Sequence, residues 1–138
     1  MLCEAAAYYK KQGKTLLDVL GDLYREHGFF LDTQGSIFHK GAAGVAKIAA
    51  LLEGLRREPP REVAGLTVIK TEDYLASEMQ REGFPPANVL RYLFDDGSFV
   101  AVRPSGTEPK CKYYYCVSAG DRAAAEEKLA GLRAFFEK

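Results

Sequence analysis

Apolar positions along the chain change their period near residue 60, and that change divides the expected elements. Residues 2–12 are Ala-rich and read as a helix stopped near Gly13. Thr15 opens a second helix, with Asp18 three residues on as a capping-box partner. Leu16, Val19, Leu20, Leu23 and His27 share one face, and Gly28 is placed to end it. Each of these helices carries one apolar stripe and needs a surface to bury it. No capping residue precedes the first, which suggests a cut from something longer. Residues 29–39 look extended, with a turn around Asp32 to Gly35, and read as a linker or ribbon. Residues 41–57 repeat the helical period through Val45, Ile48, Ala49, Leu52 and Leu55, until Pro59 and Pro60 stop it.

Beyond Pro60 the pattern alternates. Leu66 to Glu72 predicts a strand, residues 73–81 one or two helical turns, and Val89 to Phe94 another strand. Asp95-Asp96-Gly97-Ser98 is a hairpin turn leading to a strand over 99–103. A loop over 103–109 joins this to a strand over 111–118. Asp121 caps a last helix with the stripe Ala125, Leu129, Leu132 and Phe136. The expected fold class is α+β: a four-stranded antiparallel sheet with two helices on one face, preceded by two further helices.

Composition narrows the function. The 138 residues hold 19 Lys plus Arg and 19 Asp plus Glu, so the net charge is zero. Neither side of Lys40 departs from balance, so a general nucleic-acid or membrane-surface role, which needs surplus cations, is not expected. Tyr113, Tyr114 and Tyr115 could stack on bases, but in a strand the middle ring faces away from its neighbours, and packing explains the outer two. No apolar run approaches the length of a membrane span. The N-terminus has no basic stretch followed by an apolar one, as a signal peptide would. Cys3, Cys111 and Cys116 have no framework spacing, and the last two fall on opposite strand faces. A reducing, cytoplasmic setting is expected.

Candidate chemistry concentrates in Arg103-Pro-Ser-Gly-Thr-Glu-Pro-Lys110 and the Lys112 that follows. Arg103 offers a planar fork that fits two phosphate oxygens at once. Ser105 and Thr107 add hydroxyl donors, and Gly106 lets backbone approach a ligand closely. Two prolines limit the loop's freedom, which lowers the entropy lost on gripping a ligand. The same residue types equally suit a rigid polar turn whose Arg103 pairs with Glu108 or an aspartate. His27 suits a helix C-terminus, where a cation is mildly favoured, and His39 a connecting loop. Gly41 to Gly44 lacks the following Lys-Ser/Thr of a phosphate-binding P-loop. No Asp, His or Cys cluster has metal-ligand spacing.

The segment RPSGTEPK, followed by CKYYY, resembles the C-terminal phosphate-binding loop of the α-D-phosphohexomutases, the phosphoglucomutases, phosphomannomutases and their relatives. YYKKQGKTLLDVLGDLYREHGFF is similar to the closing helices of that family's third domain. LLEGLRREPP, AGLTVIKTEDYL and LFDDGSFVAVRPSGTEPK resemble its fourth domain in order. Among its branches the sequence looks most like the bacterial phosphoglucomutase type, with a phosphomannomutase or phosphopentomutase relative as the alternative. The resemblance implies residues 1–38 as the tail of a third domain with a linker. It implies residues 39–138 as a TATA-binding-protein-like C-terminal domain.

The resemblance further implies phosphate contacts at Arg103, Ser105, Gly106 and Thr107, and more loosely at Lys112. Glu108 also matches, and is expected to point away from an anion. The family's phosphorylated serine, Asp-rich magnesium loop and sugar-selecting loop have no counterpart here. No catalytic or metal-binding residue is therefore expected in this chain, and by itself it should not turn over substrate. For the parent enzyme the resemblance implies interconversion of glucose 1-phosphate and glucose 6-phosphate. It implies Mg2+ and glucose 1,6-bisphosphate as cofactors, and a sugar phosphate and the remaining mutase domains as partners. A free-standing phosphosugar-binding module is the other reading.

Overall fold

The computed structural model describes residues 1–41 and 43–138. Its elements in chain order are α1 (Leu2–Lys11), α2 (Leu16–His27), β1 (Phe29–Phe38), α3 (Ala43–Arg57) and β2 (Glu62–Val63). There follow β3 (Leu66–Asp73), α4 (Ser77–Arg81), β4 (Leu90–Phe94), β5 (Phe99–Pro104), β6 (Lys110–Ala119) and α5 (Arg122–Phe136). The expected helix over 41–57 thus begins at Ala43; Ala42 lies outside the described residues. The Gly41 to Gly44 stretch includes that residue.

The sheet has six strands in the order β1-β6-β5-β4-β3-β2, with every neighbouring pair antiparallel. Two strands beyond the expected four correct the sequence reading. β2 is a two-residue pairing that closes a tight turn onto β3. β1 is the larger correction. Residues 29–38 form one unbroken strand paired with β6 from Phe29↔Ala119 to Phe38↔Lys110, with no turn at Asp32 to Gly35. Asp, Thr and Gly there mimic turn chemistry, but residues 29, 31, 33, 35 and 37 alternate in register with the apolar face of β6. Long-range pairing outweighs that local preference. Gly35 is part of this fit: a Cβ there would fall 1.9 Å from the Glu137 carboxylate.

Alternation along the central strands makes the core. Leu90, Tyr92, Phe94, Val100, Val102, Cys111, Tyr113, Tyr115 and Val117 are buried on one side of the sheet. Ile48 and Leu52 of α3 and Ala125, Leu132 and Phe136 of α5 complete the cluster. Tyr92 touches both helices, donating to Leu55 O of α3 at 3.3 Å while its ring lies 5.6 Å from that of Phe136. The thiol of Cys111 sits among these groups; burial pushes it up to about 11, so it stays protonated and inert near neutrality. All three cysteines are free.

α2 begins with the capping box read from Thr15 and Asp18. It leans on the sheet through Tyr24, whose ring is 4.5 Å from that of Phe29. Leu17, Leu20 and Leu23 nevertheless remain exposed, and α1 buries nothing. No helix among the described residues is long and apolar enough to cross a membrane.

The β4–β5 hairpin is locked to α5 by polar contacts. Asp96 accepts from the Ser98 N–H at 2.9 Å and hydroxyl at 3.1 Å, and from Lys128. Ser98, 1 % exposed, in turn accepts from the Ser118 N–H at 2.9 Å. Burial pushes the Asp96 carboxyl up, but the bonds from Lys128 and Ser98 outweigh it and hold it below the usual range. Asp96→Ala is expected to destabilise the chain by about 2 kcal/mol in urea unfolding. Because the folded carboxyl is the stronger acid, this contribution is present above the ordinary carboxylate pKa. It fades as pH falls through the folded value, so the gap between wild type and variant should close in acid.

Candidate functional site

The hairpin of β5 and β6 fixes the candidate loop. Val102 and Tyr113 face each other in the core, so their neighbours Arg103 and Lys112, also directly opposite, project from the other side of the sheet. Two cations are thereby held across one strand pair, an unfavourable placement without a counter-charge. Neither forms an ion pair among the described residues. Arg103 is exposed. The reading of the loop as a turn in which Arg103 pairs with Glu108 or an aspartate therefore finds no contact to support it.

Backbone bonds pin the base of the loop and leave its tip open. Ser105 donates its N–H to Lys110 O at 2.7 Å, and Lys110 donates to Glu108 O at 2.7 Å. His39 donates to Pro109 O at 2.9 Å, which ties the loop to the end of β1. Gly44 of α3 packs so closely that a Cβ there would lie 2.0 Å from His39 O and 2.8 Å from Pro109 Cβ. At the tip, Gly106 has nothing within 4 Å of where a Cβ would stand.

Two hollows flank the loop. The smaller, about 140 Å3, is lined by Arg103, Pro104, Ser105, Gly106, Lys112 and Tyr114. Four of the five expected contact residues therefore meet at one solvent-open space. Thr107, the fifth, is exposed and lines neither hollow; its N–H reaches Ser105 Oγ at 3.5 Å. Tyr114 was not among the expected site residues. Strand alternation alone puts it on the face of Lys112, and only the register with Ala101 brings it beside the loop. The larger hollow, about 600 Å3, lies between the loop and α3 and is mainly apolar, with Val45, Ile48, Leu52 and Val89 in its walls. Glu108 lines this one and not the smaller. Asn88, on its rim, is held by Arg56, which also bonds Asp73 at 2.9 Å. Arg103, Ser105 and Gly106 line both hollows, but Lys112 lines only the smaller, which brings both cations to one space suited to a small oxyanion.

Comparison with known proteins gives a consistent picture. Residues 40–131 match the family described as phosphoglucomutase/phosphomannomutase, C-terminal domain. The chain belongs to that family. A phosphoglucomutase of Staphylococcus aureus (strain bovine RF122 / ET3-1) is 42% identical over 140 residues, covering 96% of this chain and 25% of the relative. One from Staphylococcus haemolyticus (strain JCSC1435) is 40% identical over 122 residues, covering 83% of this chain and 22% of the relative. The open form of the Paramecium exocytosis-sensitive phosphoprotein pp63/parafusin, a phosphoglucomutase, superimposes with a TM-score of 0.59 at 16% identity. That match covers 96% of this chain and 24% of the other, and it bears on the fold. The chain spans about a quarter of the length of the relatives it matches.

Gly44 on α3 and Gly106 at the loop tip differ in what they must avoid. Gly44→Ala is expected to cost about 1–3 kcal/mol by overpacking against His39 and Pro109, and to move amide resonances across 103–110. Gly106→Ala is expected to stay within about 0.5 kcal/mol of wild type. Urea unfolding with 1H–15N spectra of both variants checks the contrast.

Proposed function

We propose that this chain is the phosphate-gripping C-terminal part of a phosphoglucomutase. Residues 39–138 form the binding domain, and residues 1–38 are the tail of the preceding domain together with the segment that completes the sheet as β1. The observation that carries the reading is the meeting of Arg103, Ser105, Gly106 and Lys112 around one open hollow with both cations free of carboxylates. A tetrahedral dianion there would accept the Arg103 fork, the Ser105 hydroxyl and the Lys112 ammonium. It would also relieve the repulsion between the two facing cations. Thr107, which does not line the hollow, is a contact only if the tip closes over the ligand.

In the whole protein the activity would be interconversion of glucose 1-phosphate and glucose 6-phosphate, through a phosphoserine carried elsewhere in the chain and a bisphosphate intermediate. This part would hold the phosphate that is not being transferred. A distant grip contributes by alignment: binding energy at the idle phosphate fixes the reacting hydroxyl against the phosphoryl donor. Since the intermediate presents either end, recognition should rest on phosphate more than on sugar. The donor set fits this, because every group in it addresses oxyanions. Among the described residues no three His, Cys, Asp or Glu side chains are placed to hold a metal. The chain's own groups do not fit Mg2+, and no step here runs through one. Mg2+ and glucose 1,6-bisphosphate would act on the remaining domains, in the cytoplasm.

Glucose 6-phosphate titrated into the 15N-labelled chain should shift resonances across 103–112 with a Kd on the order of 1 mM. Arg103→Ala should weaken that response at least about tenfold, the equivalent of one charge-assisted contact, with an unchanged urea midpoint. No movement at about 30 mM ligand, or unfolding of the variant, would reassign the loop to a structural role.

A further inference from the structure

Lys112 belongs to two hollows. Besides the loop site it lines a separate space of about 400 Å3 at the outer margin of the sheet, with Lys110, Gln34, Ser36, Arg133 and Glu137. β1 is the outermost strand, so one side of its backbone is uncovered. Arg133 of α5 donates to Gln34 O at 3.2 Å, which shows that the Gln34 carbonyl points outward. In an antiparallel strand the N–H and C=O of one residue project the same way, and residues two apart repeat the direction. The N–H groups of Gln34 and Ser36 therefore both point out of the sheet beside this hollow. By the same alternation Ser36↔Lys112 is a pair without mutual backbone bonds, the geometry that brings opposite side chains closest.

The hollow collects three cations against one carboxylate. Lys110 and Lys112 have no ion-pair partner among the described residues. Glu137 is already engaged: it accepts from the Tyr115 hydroxyl at 2.9 Å and lies 3.5 Å from Arg133 Nε. What remains toward solvent is two ammonium groups, the Ser36 hydroxyl and two outward N–H groups, beside the Ser36 carbonyl and the Gln34 carbonyl that Arg133 already engages. Uncovered strand N–H groups beside side-chain cations form an anion-binding concavity of the same kind as a backbone nest.

We propose that this margin of β1 is a second oxyanion site, which takes a phosphoryl group distinct from the one held by the Arg103 loop. Its donors are the Gln34 and Ser36 N–H groups, the Ser36 hydroxyl, Lys110 and Lys112. The occupant is either a free phosphate or the second phosphoryl group of a ligand that also reaches the loop through the shared Lys112. The site stands on the edge geometry and not on the function proposed for the loop, since only Lys112 is common to both.

Titration of the 15N-labelled 138-residue chain at constant ionic strength separates the possibilities. Inorganic phosphate should move the amides of Gln34 and Ser36 in the millimolar range, on the order of 1–10 mM, where chloride at equal ionic strength leaves them still. Lys110→Gln keeps most of the stem and should abolish the edge response while the 103–107 response persists. Arg103→Ala should do the reverse, and Lys112→Gln should weaken both. Pyrophosphate identifies the source: one common midpoint at least about tenfold below that of phosphate marks a ligand bridging both hollows. Two separate midpoints mark a free second anion. Edge amides that stay unmoved by both anions, move equally in chloride, or respond unchanged in Lys110→Gln would overturn the proposal. Loss of the loop response alone would count against the loop's role and leave this site standing.

Discussion

The antiparallel register of β5 on β6 is the constraint from which the rest of the site follows. Val102 opposite Tyr113 places two apolar side chains in the core, and the next pair, Arg103 opposite Lys112, is then obliged to face out together. A slip of one residue would bury the cations and expose the core. The energy that holds two like charges across a strand pair therefore comes from the apolar burial beneath them, at Val100, Val102, Cys111, Tyr113 and Tyr115.

Rigidity around the loop is distributed in the same spirit. The ends of 103–110 are tied by Ser105, Lys110 and His39 backbone bonds, and Gly44 allows α3 to close against Pro109. The tip, at Gly106 and Thr107, is tied by little. Pinned ends with a free tip hold Arg103 and Lys112 near their positions and leave conformational freedom mainly to a few residues. Asp96, Ser98, Ser118 and Lys128 brace the opposite end of the hairpin, where polar groups are buried and satisfied.

Exposed apolar side chains are concentrated on the leading helices. Of the stripe that the periodicity of α2 predicts, Leu20 and Leu23 remain exposed, as does Leu17 beside it, and Tyr24 ties the helix to the sheet through Phe29. The amphipathic pattern is strong and the surface that would cover it is not part of this sheet. This accords with a chain that spans about a quarter of the length of its relatives.

Local chemistry was enough to read the helices, the 95–98 hairpin, the alternating strands and the loop with its cations, because caps, periods and turn residues act over a few neighbours. Thr15 with Asp18, and Asp121 at the start of α5, cap the helices as their residue types require. The sixfold sheet was not legible in this way. β1 carries turn-like residues, and its strand exists through pairing with β6, some 80 residues away. Nor could spacing show that Thr107 stands off from the hollow while Tyr114 lines it, or that Ser36 and Lys110 share an edge with Lys112. Those are consequences of register and of which strand ends up outermost, quantities set only when distant segments commit their backbone bonds to one another.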